Sequence, residues 1–219
     1  MLIVPDELQR NTAGVAKEGY ENSGQRLMHL ARDRAGLKDF SNTDILDVGC
    51  GVRFTVTILN REMDVKSYTG VEVHKPIVDF LSKDVDDPRF NFAHWDIHNG
   101  LYNENGPPMT LSGGMPVDGQ YSLIWLFSVF THMNPTDSLV MFKLLRERVV
   151  DGGKLVFTCF INEELETFDD EHDDLVHAHY GESYMHNMIE TAGWSIDKWW
   201  WGEIRENNPY GRMYVCSPA

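Results

Sequence analysis

Apolar residues change their spacing several times along this chain, and each change marks an element. From Ser23 onward Leu27, Leu30, Ala31 and Ala35 recur at helical spacing, and Gly36 supplies a stop, which predicts a helix of roughly three turns. Ile45, Leu46 and Val48 then form a short buried strand that runs into Gly49, Cys50 and Gly51, where the backbone must turn sharply. Phe54 to Glu62 reads as a helix, Tyr68 to Val73 as a second strand, and Pro76 opens a helix through Phe80 and Leu81. Phe90 to Trp95 alternates as a third strand ending on Asp96, and Tyr121 to Phe127 is nearly continuous apolar sequence, as in a strand covered on both faces. Asn134 and Pro135 cap a helix with Leu139, Phe142, Leu145 and Val149 on one side, and Asp151 to Gly153 turns it into a strand from Leu155 to Phe160. A helix from Glu182 to Thr191, an aromatic strand from Trp194 to Trp201, a turn at Asn208 and Pro209 and a strand from Met213 to Cys216 complete the chain. Strand and helix alternate, which makes the fold class α/β with a parallel sheet.

Three stretches break this rhythm. Residues 1–22 are mixed and polar, with Gly14 and Gly19 discouraging a long helix. Residues 98–120 are rich in glycine, proline and asparagine, and residues 161–180 hold eight carboxylates between Glu163 and Asp174. Connections this long are usually functional. The sequence therefore divides into an arm and helix over 1–40, forming part of a cover, and a domain over 41–219 with insertions at 98–120 and 161–180.

Composition narrows the class. At 219 residues, one domain can bury an adequate core without staples. A net charge of -15 repels a phosphate backbone, so a nucleic-acid partner is disfavoured. Cys50, Cys159 and Cys216 are scattered in apolar or glycine-rich sequence and are expected reduced and buried. The start, Met1 to Pro5, lacks a basic region and no apolar run approaches membrane-spanning length, so a cytoplasmic protein without a membrane partner is expected. The sequence leaves room for a homo-oligomer.

Candidate chemistry gathers at the predicted strand ends. Asp47 lies beside the glycine turn, at the carboxyl edge where α/β sheets bind ligands. Glu72 ends the second strand, 21 residues beyond Gly51, where a carboxylate can accept hydrogen bonds from both hydroxyls of a ribose. Asp96, flanked by Trp95 and Ile97, is placed to take the exocyclic amine of an adenine. A nicotinamide-binding turn wants a third glycine, but the series runs Gly49, Gly51 and then Phe54, so adenosine is favoured over a dinucleotide.

With these residues the chain resembles the class I S-adenosylmethionine-dependent methyltransferases, over roughly residues 40–217. The glycine turn matches their first motif, Glu72 their ribose acid and Asp96 their adenine-side acid. Ser128 to Met133, Leu144 to Arg146 and Asp151 to Phe157 look like the fourth- and fifth-strand region of a bacterial small-molecule subgroup. The resemblance implies a Rossmann-like seven-stranded sheet of order 3-2-1-4-5-7-6, its seventh strand antiparallel, with helices on both faces. It implies S-adenosylmethionine as cofactor, held by Asp47, Gly49, Cys50 and Gly51, by Glu72 and Val73, by Trp95, Asp96 and Ile97, and by Phe127 and Ser128. The activity implied is methyl transfer to a small-molecule acceptor, expected to be an oxygen of a sugar or specialised metabolite. Alternatives are an S-adenosylmethionine-binding regulatory protein without turnover and a nicotinamide-dependent oxidoreductase.

The family pattern departs at Arg53, where a third glycine is usual. Either arginine replaces it or one residue is deleted from the turn; the deletion reading, with Arg53 pointing outward, is the one favoured. His132, just after the fourth strand, is the candidate base, and the competing role for Thr131 and His132 is to cap the next helix or fix the loop. No metal is assigned, although the acidic stretch with His177 and His179 has oxygen donors suited to magnesium or calcium. Trp199 and Trp201 should share one face of their strand and Trp200 the other. Met109 and Met115 are candidates for an adaptable apolar wall.

Overall fold

The computed structural model describes residues 1–9, 19–170, 177–201 and 211–219. Helix α1 (Tyr20–Arg34) buries Ser23, Gly24, Leu27, Met28 and Ala31 along one stripe. It ends as the sequence requires: Gly36 takes φ +71°, the Leu37 amide donates to the Arg32 carbonyl and the Gly36 amide to that of Asp33. Strand β1 (Phe40–Val48) leads through the glycine turn to α2 (Arg53–Asn60), then β2 (Val65–Glu72), α3 (Lys75–Asp84) and β3 (Phe90–His94). Strand β4 (Tyr121–Leu126) is followed by a 3-10 turn over Phe130–His132, α4 (Pro135–Arg146) and the long β5 (Val149–Ile161). Short strands β6 (Phe168–Asp170) and β7 (Ala178–Tyr180), helix α5 (Glu182–Thr191) and strands β8 (Trp194–Trp201) and β9 (Gly211–Pro218) follow.

The main sheet runs β3-β2-β1-β4-β5-β9-β8, parallel from β3 to β5, with β9 antiparallel to both β5 and β8. This is the seven-strand order that the family resemblance implies. Chain direction across the sheet reverses between β1 and β4, so the crevice beyond their carboxyl ends is where such sheets take ligands. One sheet face, with Leu46, Val48, Ile124 and Leu126, packs on Phe142 and Leu145 of α4 and Ile189 of α5. The other, with Ile45, Tyr68, Leu123 and Trp125, packs on Met28 of α1 and Phe54 and Ile58 of α2. No described helix is long and apolar enough to cross a membrane.

Three expectations need correction. Residues 161–180 contain the hairpin β6–β7, read as irregular in the sequence. Phe160 pairs with Gly211 of β9 on one side and His179 of β7 on the other, so β7 occupies the side that β4 leaves when it stops at Leu126. Val149 belongs to β5 and not to the preceding helix: it pairs with Tyr121, whose amide bonds the Arg148 carbonyl. Asp151 to Gly153 is then an irregularity within β5, with Gly152 at φ +75°, and not the turn that starts it. The predicted turn at Asn208 and Pro209, the arm over 10–18 and the acidic residues 171–174 fall outside the described residues.

Candidate active site

The site is built from the turn upward. Gly49 (φ +73°) and Gly51 (φ +50°) both adopt left-handed conformations that side chains resist. A Cβ on Gly49 would stand 2.6 Å from Val129 Cγ2, so close approach as well as conformation demands glycine there. The Gly49 amide donates to the Val71 carbonyl at 2.8 Å, tying the turn to the end of β2. Glu72 completes the tie: Oε2 accepts from the Gly51 amide at 3.0 Å and Oε1 from the His74 amide at 2.9 Å. Each carboxylate oxygen keeps acceptor capacity for a further donor. Gly70 has a supporting role, because a Cβ there would lie 2.8 Å from Cys50 Sγ. Burial pushes the Cys50 thiol well above its usual range, so it stays protonated.

Above the turn lies a cavity of about 830 Å³. Gly49, Cys50, Gly51, Glu72 and Val73 line it, as do Trp95 and Ile97 on the β3 side. Phe127, Ser128 and His132 line it beyond β4. Asp47 and Asp96, expected beside them, do not. Along β1 the side chains alternate, so Asp47 points to the face of Ile45 and accepts a 2.5 Å hydrogen bond from the Tyr68 hydroxyl. Burial raises its carboxyl to about 7, opposed by the Tyr68 hydrogen bond. Strand β3 ends at His94, and the Ile97 amide then donates to the Trp95 carbonyl at 2.9 Å, an i to i+2 turn centred on Asp96. The Asp96 side chain is exposed and accepts from Asn103 Nδ2 at 2.9 Å.

Arg53 is also corrected: it is half-buried at the start of α2, lines the cavity and places its guanidinium carbon 5.7 Å from the Tyr20 ring centroid. It does not point outward. Tyr20, Ser23, Arg26 and Leu27 of α1 share that wall, with Leu8 from the N-terminal segment.

The far wall starts at Ser128, a non-glycine residue at φ +59° whose amide donates to Thr158 Oγ1 at 2.8 Å. His132 sits on the 3-10 turn. Asn134, and neither Thr131 nor His132, caps α4, its side chain accepting from the Asp137 amide at 2.9 Å. Asp137, Met133, Met141 and Phe160 join this wall. Hairpin β6–β7 braces it: the Tyr180 hydroxyl donates to the Met133 carbonyl at 2.5 Å and bonds Ser138 Oγ at 2.8 Å.

Met109 reaches the cavity, whereas Met115 is packed in the core. Trp199 and Trp201 do share a face, with centroids 6.4 Å apart, while Trp200 stacks under Arg34 on the other; no Trp of β8 lines the cavity. Among the described residues no group of three or more His, Cys, Asp or Glu could hold a metal. Sequence reasoning missed Tyr20, Arg26, Tyr102, Asp137 and Phe160. The α1 stripe was legible as helix, but nothing local in the sequence says which helix faces the turn.

No family model matches the sequence. Among solved structures, the chain is similar to the glycopeptide N-methyltransferase MtfA with S-adenosylhomocysteine, at 11% identity over 90% of each chain and a TM-score of 0.61. It is similar to the Burkholderia thailandensis 1,6-didemethyltoxoflavin-N1-methyltransferase with bound 1,6-didemethyltoxoflavin and S-adenosylhomocysteine, at 12% identity over 93% of this chain and 80% of that one, TM-score 0.63. An S-adenosylmethionine-dependent methyltransferase from Mesorhizobium loti matches at 12% identity, over 91% and 100%, TM-score 0.60. What this chain shares with all three, across most of its length, is the fold of the S-adenosylmethionine-dependent methyltransferases.

Proposed function

We propose that this protein transfers a methyl group from S-adenosylmethionine to an oxygen or nitrogen of a small molecule. The observation that carries the reading is Glu72, bridging the Gly51 and His74 amides on the wall of the cavity, at the end of the strand next to the glycine turn. The donor fits these residues because the turn leaves open space on the cavity: a Cβ on Gly51 would meet no protein atom within 4 Å. That solved neighbours hold S-adenosylhomocysteine, S-adenosylmethionine or sinefungin supports the same donor.

When bound, the donor supplies a methyl group already activated on a sulfonium. Glu72 accepts hydrogen bonds from the ribose hydroxyls, and Trp95 and Ile97 give the adenine apolar contact. Gly49 to Gly51 allow the backbone to approach the ligand. Phe127 and Ser128 position the reacting end, with Ser128 fixed through Thr158. His132 receives the proton that a hydroxyl acceptor gives up, and Met133, Met141 and Phe160 wall the acceptor. Leu8, Tyr20, Tyr102 and His177 close over the site as a cover, keeping water from the transfer.

The sequence alone favoured an oxygen acceptor; two neighbours named for methylating nitrogen add nitrogen to the class. Incubation with methyl-labelled donor and a metabolite extract is expected to move label into small molecules, suppressed by excess S-adenosylhomocysteine. Donor binding with no transfer to any extract fraction would instead support the regulatory alternative.

A further inference from the structure

The cavity sorts its charges. Among the described residues Glu72 and Asp137 are its carboxylates, one at the end of β2 and one on α4, whereas its arginines are Arg26, exposed on α1, and Arg53, at the start of α2 next to the glycine turn. Resting on the methyltransferase reading, we propose that Arg53, beside the Tyr20 ring, binds the carboxylate at the methionine end of the donor.

Three observations lead there. If adenosine lies along Glu72, Trp95 and Ile97, the chain beyond the ribose passes the Gly49–Gly51 turn, and Arg53 is two residues further on at the start of α2. The carboxylate is the donor's anionic group, and a guanidinium fork matches its two oxygens. The arginine is also held in place. A Cβ on Gly24 would come 2.1 Å from Thr57 Oγ1 and 3.3 Å from Arg53 Cγ, so the bare position lets α1 pack directly on Thr57, whose hydroxyl donates to the Arg53 carbonyl at 2.8 Å, with the Arg53 stem against α1 and its guanidinium beside the Tyr20 ring. Glycine inside a helix costs about 1 kcal/mol relative to alanine, so its presence at this seam marks space kept for the neighbour. Where this chain departs from the family pattern, it thus places a ligand-reading cation.

The test is a cycle between residue and ligand group. S-adenosylhomocysteine and its decarboxylated analogue, S-adenosyl-3-thiopropylamine, which keeps sulfur and amine but lacks the carboxylate, are titrated calorimetrically into the full chain and into Arg53→Ala, Arg53→Lys and Arg53→Gly. Arg53→Ala is expected to weaken S-adenosylhomocysteine by about 10-fold or more while the analogue changes by less than about 3-fold, the scale of one charge-assisted hydrogen bond. Arg53→Lys should retain part of the preference for the carboxylate. The analogue also reports that each variant is folded. Equal weakening of both ligands makes Arg53 structural and overturns the proposal, as does tighter S-adenosylhomocysteine binding by Arg53→Gly, the mark of simple crowding. If the unaltered chain binds neither ligand, the donor reading itself falls. Binding of both with no discrimination by Arg53 leaves that reading standing and removes the carboxylate assignment alone.

Discussion

Asp47 shows how alternation along a strand overrides position in a motif. Its place at the end of β1 suggests a ligand contact, but the register with Gly70 and Trp125 turns the side chain beneath the turn, where it is 1% exposed and bonded to Tyr68. Burial lifts its carboxyl from 3.8 to about 7. The unfolded chain gives up this proton near 3.8 and the folded chain near 7, so folding takes up a proton in between. The contribution is full below the lower value and is lost as pH rises towards the upper one. Stability of the unaltered protein relative to Asp47→Asn is therefore expected to fall between about pH 4 and about pH 7, measured by denaturant unfolding across that range. A pH-independent difference would contradict it. Among single residues, the meeting of Gly49, Gly51 and Glu72 was legible because adjacent strand ends bring them together. Asp96 was not, since a tight turn two residues past β3 rotates it to Asn103. Nor was the direction of Arg53, which depends on a helix far away in sequence.

Between elements, the contact that aims Arg53 is the seam of α1 and α2. Gly24 meets Thr57 there, and the Thr57 hydroxyl donates to the Arg53 carbonyl at 2.8 Å. Gly24→Ala should part the helices and destabilise the protein by about 1–3 kcal/mol, the usual range for overpacking. In a Thr57→Ala background, which removes the 2.1 Å clash, the same substitution should cost clearly less. Equal costs in the two backgrounds, read from chemical denaturation, would mean that the seam is not closely packed. The sequence yielded helices well at this scale, because period and stop signals are local. It missed β6 and β7 because these three-residue segments, too short to show a period, become strands only through pairing, β7 at the end of β5 and β6 on β7. It extended a helix to Val149 because that residue continues the apolar period from Leu145, whereas the Tyr121 amide takes the Arg148 carbonyl and starts the strand.

For the whole molecule, strand and helix in alternation sufficed to give the α/β class and a parallel sheet, and the strand order with its closing antiparallel pair followed from the family resemblance. The walls of the site come from segments scattered through the chain: Leu8, α1, Tyr102, the loop after β4 and His177. Only the floor, where the turn meets Glu72, is continuous enough to be read from sequence. Calorimetric titration with S-adenosylhomocysteine of the unaltered chain and of Glu72→Ala tests it directly. Micromolar binding is predicted for the former, and a loss of about 10-fold or more for the latter, as expected when charge-assisted hydrogen bonds are removed. No binding to the unaltered chain, or the same affinity in both, would contradict the claim that this cavity is a methyl-donor site.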